Sequence, residues 1–129
     1  MSGSVLLDTN IVIALFAEDD SVQAHLADAP EVLVPSIVLG ELYYGALKSG
    51  QVEANVARVD EFASSVPIVA CDAATARVYG RIKKLLRVKG RPIPENDIWI
   101  AAIAHQHELE LISRDDHFRE VEGLRVQAW

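Results

Sequence analysis

Short apolar runs alternate with stretches of helical length along the whole chain, and this alternation constrains the fold most. Ser4–Leu7 (SVLL), Glu31–Val34 (EVLV), Pro67–Ala70 (PIVA), Leu109–Ile112 (LELI) and Leu124–Val126 (LRV) are too short for helices and read as strands. Between them, Ile11–Ala17, Asp19–Ala29, Ile37–Leu47, Gln51–Ser65, Ala73–Val88 and Glu95–Glu108 read as helices. Most of these repeat apolar residues every three or four positions. Parallel strands need a long crossover, and a helix supplies it, so the pattern predicts an α/β fold with a mostly parallel five-stranded sheet flanked by helices. Turn chemistry agrees with the boundaries. Asp8, Thr9 and Asn10 can each cap a helix, and Pro35 is expected to stop the second strand. Ser36 reads as an N-cap, Gly50 as a helix end and Asp72 as the cap of Ala73–Val88. Gly90–Pro94 reads as a loop, and Asp115–Glu120 as a short helical turn.

At 129 residues, half of them hydrophobic and 24% charged, the chain can bury a core as one domain over residues 1–129. No apolar run reaches the roughly 18–20 residues of a membrane span. Met1–Ser4 carries no Lys or Arg and leads into only a short apolar run, unlike a signal peptide. Cys71 is the only cysteine, which excludes an internal disulfide. It reads as a small buried apolar residue, and the setting as reduced and cytoplasmic.

The net charge of −7 argues against a nucleic-acid binder, but its distribution argues the other way. Arg77, Arg81, Lys83, Lys84, Arg87, Lys89 and Arg91 put +7 into fifteen residues that hold no acid. This stretch is either a solvated helix face or a contact for an RNA backbone.

Ligands in parallel α/β sheets bind beyond the carboxyl ends of the strands. Asp8 follows the first strand, and Ser113-Arg114-Asp115-Asp116 follows the fourth. Two more acids stand in apolar surroundings: Glu41 in SIVLGELYYGAL and Asp97 in NDIWIAAIA. Taken singly, each has an ordinary explanation. Asp8 can be a cap, Asp97 a favourable charge at a helix start, Glu41 a solvated residue and Asp115 a turn residue. Together they carry more weight, because few basic neighbours in sequence can neutralise them. Two unit charges about 5 Å apart repel by roughly 3 kcal/mol at an effective dielectric near 20. A converging set of such carboxylates calls for a hard divalent cation, Mg²⁺ or Mn²⁺.

Four segments carry a resemblance. They are Leu7-Asp8-Thr9-Asn10-Ile11, Ser36–Leu42 with Gly45, Ile93–Ala102 (IPENDIWIAA) and Ile112–Phe118 (ISRDDHF). Their order and spacing resemble PIN-domain ribonucleases, specifically the VapC-type toxins of bacterial toxin–antitoxin pairs. The tail Gly123–Val126 is similar to that family as well. The resemblance implies one PIN-like domain and a metal site of four acids, here Asp8, Glu41, Asp97 and Asp115. Asp116 is the adjacent alternative to the last. Thr9, Asn10, Asn96 and Ser113 are expected as polar support. The implied activity is metal-dependent endoribonuclease cleavage with Mg²⁺, Mn²⁺ being a possible substitute, leaving 5′-phosphate and 3′-hydroxyl ends. The implied partners are an RNA substrate, a VapB-type antitoxin and a second copy of the chain, with a larger assembly when antitoxin is bound. A degenerate binding module, or a housekeeping nuclease without an antitoxin, is the competing reading; the intact acid set opposes the first.

Other chemistries fit poorly. A haloacid-dehalogenase pattern needs an acid at position 10, which is Asn, and the further acidic and Lys positions of a receiver domain are missing. His105 and His107 are two apart on a helix and cannot share a face, while His25 and His117 read as isolated. Tyr79 is the only aromatic residue in the basic stretch, and Tyr43 and Tyr44 read as packing or interface residues. A mean hydropathy of +0.16 suggests an apolar interface, with Ile11–Phe16 and Ile37–Leu47 as candidates.

Overall fold

All four residues of β1 (Ser4–Leu7) are buried, so SVLL is a strand without polar alternation because both of its faces are covered. The structure, a computed structural model, describes residues 3–129. β1 lies at the centre of a five-stranded sheet with β2 (Glu31–Pro35), β3 (Ile68–Val69), β4 (Glu110–Ile112) and β5 (Val126–Gln127). The order is β3-β2-β1-β4-β5, and every neighbouring pair is parallel. Register places Leu6 beside Leu33 on one side and beside Leu111 on the other.

Six helices make the connections: α1 (Thr9–Phe16), α2 (Asp20–Asp28), α3 (Ser36–Leu47), α4 (Val52–Ser65), α5 (Ala73–Val88) and α6 (Glu95–Gln106). They pack in pairs, α1 with α2, α3 with α4 and α5 with α6. α6 is apolar nearly all round because it is covered nearly all round. Ile98 and every residue from Ile100 to Ala104 are buried, and its three alanines allow close approach of neighbouring elements. No helix of the described residues is long and apolar enough to cross a membrane.

β1 has β2 on one side and β4 on the other. The chain first builds outward through β2 and β3, then crosses back to place β4 against the other side of β1. The carboxyl ends of β1 and β4 therefore flank the topological switch point, where crevices open in such sheets.

Several local expectations are corrected. β2 does end at Pro35, but Pro35 is itself the last strand residue, opposite Val69. Pro35, not Ser36, caps α3, and Ser36 is already helical. Its fixed φ of −69° suits both roles. α3 ends at Leu47 with Lys48 as cap, and Ser49 Oγ donates to Ala46 O at 2.6 Å, so Gly50 is not the terminator. α6 stops at Gln106, two residues short, and Glu108 turns the chain at φ +53°. β5 lies later than expected. Gly123, at φ +77°, turns the chain, and bonds from Leu111 N to Arg125 O and Ser113 N to Gln127 O set the register. Cys71 is exposed, not buried, because it falls in the irregular connection between β3 and the Asp72 cap. Asp72 does cap α5, in a reciprocal box with Thr75.

Candidate metal centre

Asp8 leaves β1 and caps α1 in one step. Its Oδ1 accepts from Thr9 N at 2.8 Å. Its Oδ2 accepts from Ser113 Oγ at 2.7 Å and from Asn10 Nδ2 at 3.3 Å. The parallel seam supplies this neighbour, since Asp8 N donates to Ile112 O at 3.0 Å and so aligns Ser113 beside it. Asp8 is only 5% exposed, and all three donors are neutral. Burial pushes its carboxyl up to about 6 from an ordinary 3.8, against the pull of those bonds, and the charges of Asp97 and Glu41 add to the rise.

Ser113 connects two acids, because Asp115 N donates to the same Oγ at 3.0 Å. Asn10 closes the ring by accepting from Arg114 N at 3.1 Å. The Arg114 side chain turns away from the acids. Its Nε donates to Trp129 O at 2.7 Å, and its Nη2 pairs with Asp19 Oδ2 at 3.0 Å, tying the loop after β4 to the cap of α2.

Asp97 lies in the first turn of α6, but it is not the cap. Pro94 holds that position without a side-chain bond, and the Asp97 carboxylate is used elsewhere. Oδ2 accepts from His117 Nδ1 at 3.1 Å, and burial raises its pKa above the usual range. Asp115 Oδ1 accepts from His117 N at 2.9 Å and lies 3.1 Å from the same Nδ1. Donor atoms of Asp97, Asp115 and His117 all fall within 4.8 Å of one another. Asp116 points to solvent, 88% exposed, and pairs with Arg119 at 3.5 Å. Glu41 comes from α3, where Thr9 Oγ1 donates to its Oε1 at 2.5 Å. It is near enough to raise both Asp8 and Asp97 through its charge.

The fold therefore brings the four expected acids to one edge, with donor atoms of Asp97 and Asp115 within 4.8 Å of each other and Asp8 and Glu41 near enough to interact by charge. Thr9, Asn10 and Ser113 hold carboxylates as expected, whereas Asn96 is exposed and lines the neighbouring groove. Among the described residues, none of the four acids is paired with a Lys or Arg. A buried carboxylate among others, held by neutral donors alone, fits a cationic guest, and the oxygen donors suit Mg²⁺ or Mn²⁺. His117 was the residue that sequence reasoning missed. Its signal was the spacing Asp115-x-His117 in the turn after β4, whereas a search for paired histidines on one helix passes over it.

Part of the basic stretch reaches the start of α6, where Asp97 lies. On α5, Lys83 pairs with Glu95 at 3.1 Å, while Lys89, just past the helix, pairs with Glu120 at 3.5 Å. Arg77, Arg81, Lys84, Arg87 and Arg91 are exposed and unpaired among the described residues. Arg87 is close enough to help lower the pKa of Glu95, two residues from Asp97, after the larger effects of Tyr79 and Lys83. Tyr79 is not a free stacking surface, since its ring lies 3.9 Å from that of Trp99 and its hydroxyl donates to Glu95. On the other flank, Ile13 of α1 and Tyr44 and Leu47 of α3 are more than half exposed. Ile13, Glu41 and Gly45 line a groove there.

Known proteins are similar to this chain in sequence and in fold. A family model described as PIN domain matches residues 5–124. Ribonuclease VapC2 of Haemophilus influenzae is 38% identical over 127 residues, covering 96% of each chain. The tRNA(fMet)-specific endonuclease VapC of Shigella flexneri is 34% identical over the same share. Among solved structures, VapBC2 of Rickettsia felis bound to a promoter DNA fragment is similar with a TM-score of 0.90 and 31% identity, covering 98% of each chain. DNA-bound VapBC of Salmonella typhimurium gives 0.89 and 29%, again over 98% of each chain.

Proposed function

The chain belongs to the PIN-domain family, among its VapC ribonucleases, and from that premise we propose a metal-dependent endoribonuclease that is the toxin of a toxin–antitoxin pair. One observation carries the metal-dependent part. Asp8 is buried with neutral donors only, at the switch point, beside Glu41, Asp97 and Asp115. In this reading those four carboxylates hold Mg²⁺, or Mn²⁺ in its place. When bound, the cation supplies Lewis-acid activation of water and neutralises charge on the scissile phosphate.

The remaining work belongs to the chain. Thr9, Asn10 and Ser113 fix the carboxylate orientations, so the acids need little reorganisation. The free cations of α5 offset the repulsion that an acidic site exerts on phosphate. Burial around Asp8 keeps bulk water from screening the site.

Relatives occur in complexes named VapBC, and this chain exposes the apolar side chains of Ile13, Tyr44 and Leu47 on α1 and α3. We assign a VapB-type antitoxin and a second copy of the chain to the exposed apolar faces of α1 and α3. A cytoplasmic setting accompanies this reading, because the RNA substrate is there.

Purified protein tests the activity in EDTA, Mg²⁺ and Mn²⁺, with Asp97→Asn as the control for contaminating nuclease. Cleavage is expected only with a divalent ion and only by the wild type, leaving 5′-phosphate and 3′-hydroxyl ends. Equal cleavage in EDTA by wild type and not by the variant would overturn the metal requirement. Sequencing RNA ends after induction identifies the target.

A further inference from the structure

We propose that His117 is a ligand of the cation site together with Asp97 and Asp115, and that its imidazole biases the site toward a first-row transition ion such as Mn²⁺ over Mg²⁺. The proposal rests on reading the acidic edge as a cation site. It adds a nitrogen donor that the four-acid set does not contain.

Geometry carries it. His117 Nδ1 stands 3.1 Å from Asp97 Oδ2 and 3.1 Å from Asp115 Oδ1. Adjacent donors on an octahedral ion with bonds of about 2.2 Å are separated by about 3.1 Å. The nitrogen thus already holds the spacing of a ligand neighbouring both carboxylates. The three donor atoms also lie within 4.8 Å of one another, inside the span of one coordination sphere. The ring is reachable, since its side chain is half exposed while the Asp97 side chain is 13% exposed.

Two features keep the imidazole there. His117 N donates to Asp115 Oδ1, so the backbone turn that positions the acid also positions the ring. Phe118, the next residue, is fully buried and anchors the turn. An ion bound there would take the place of the contact between Nδ1 and Asp97 Oδ2, with the Nδ1 electron pair facing the ion and any proton on Nδ1 released to solvent. Mg²⁺ favours an all-oxygen set, whereas imidazole is a good donor to transition ions, so the mixed set discriminates between them.

The test uses RNA-free protein and Mn²⁺ as the probe. Electron spin-echo measurements on bound Mn²⁺ should show coupling to a directly bound ¹⁴N, which changes on ¹⁵N-histidine labelling and disappears in His117→Asn. Calorimetric titration should show that His117→Asn weakens Mn²⁺ binding on the order of tenfold or more while Mg²⁺ binding changes several-fold less. His117→Gln serves as a second variant if the first is unstable. Mn²⁺ bound without nitrogen coupling, or equal losses for both ions, would overturn the ligand assignment and reduce His117 to a hydrogen-bond donor. Absence of any Mn²⁺ or Mg²⁺ binding by the wild type would instead sink the cation site itself, a separable result.

Discussion

Ser113 Oγ donates to Asp8 Oδ2 at 2.7 Å, although the two residues stand 105 positions apart in the chain. The same oxygen accepts the Asp115 amide, so one hydroxyl sets the relative position of two acids from different strands. Ser113→Ala removes both bonds inside a buried site, together with the one its oxygen accepts from Asn10 Nδ2 at 3.3 Å. Stability should fall by about 1–3 kcal/mol, and RNA cleavage by on the order of 10–100-fold. Ser113→Thr keeps the hydroxyl and should retain most activity. Urea unfolding and a cleavage assay on both variants measure this, and an active Ala variant would remove Ser113 from the site.

Asp8 makes metal-free stability depend on pH. Its folded pKa of about 6 lies above its ordinary 3.8, so the native state binds the proton more tightly than the unfolded one. The stability from this group is full below about 3.8 and is lost as pH rises through about 6. At one unit per 1.36 kcal/mol, the loss is about 3 kcal/mol by neutral pH. Asp8→Asn cannot titrate. In EDTA, the difference in stability between variant and wild type should shift in the variant's favour between pH 4.5 and 7.5. A difference that stays flat with pH contradicts an unpaired buried carboxylate.

Asp97→Asn should abolish cleavage while leaving the metal-free fold as stable as wild type, or more so. Asn Oδ1 can still accept from His117, and α6 loses no cap because Asp97 makes no cap bond. The substitution removes a charge whose burial, with the nearby charges of Asp115 and Glu41, already raises its pKa. Mg²⁺ should raise the wild-type melting temperature more than the variant's. Normal cleavage and an equal Mg²⁺ response would together take Asp97 out of the site.

RNA-backbone contact should involve the cations of α5 that no acid occupies. Replacing Arg81, Lys84 and Arg87 with Gln should weaken RNA binding and lower the salt slope by about 2, at roughly 0.7 per lost single-strand phosphate contact. Lys83→Gln should do less, because Lys83 already pairs with Glu95 at 3.1 Å. Binding measured from low to high salt decides, and an unchanged slope in the triple variant refutes the assignment.

The sheet was legible because parallel strands buried on both faces need continuous apolar runs, and SVLL at β1 has no other use. Asp8 and Asp115 were legible for a related reason, since strand ends at a switch point are where the fold leaves room. What stayed hidden depended on contacts between distant segments. Nothing local marks His117 as the partner of Asp97, because α6 and the turn after β4 meet only in the folded chain. Cys71 read as buried from residue type alone, yet its position in an irregular connection decided otherwise. Gly50 had the chemistry of a helix terminator, but α3 had already ended at Leu47, with Lys48 as its cap.

The seam between β1 and β4 also makes the acidic edge a product of pairing between distant parts of the chain. A growing chain displays Asp8 and Glu41 well before Asp97, and β1 stays without its later neighbour until β4 emerges and brings Ser113 and Asp115 with it. Segments that stop before β4 therefore hold Asp8 without the Ser113 hydroxyl, and the acidic edge assembles only once Ser113 and Asp115 are present.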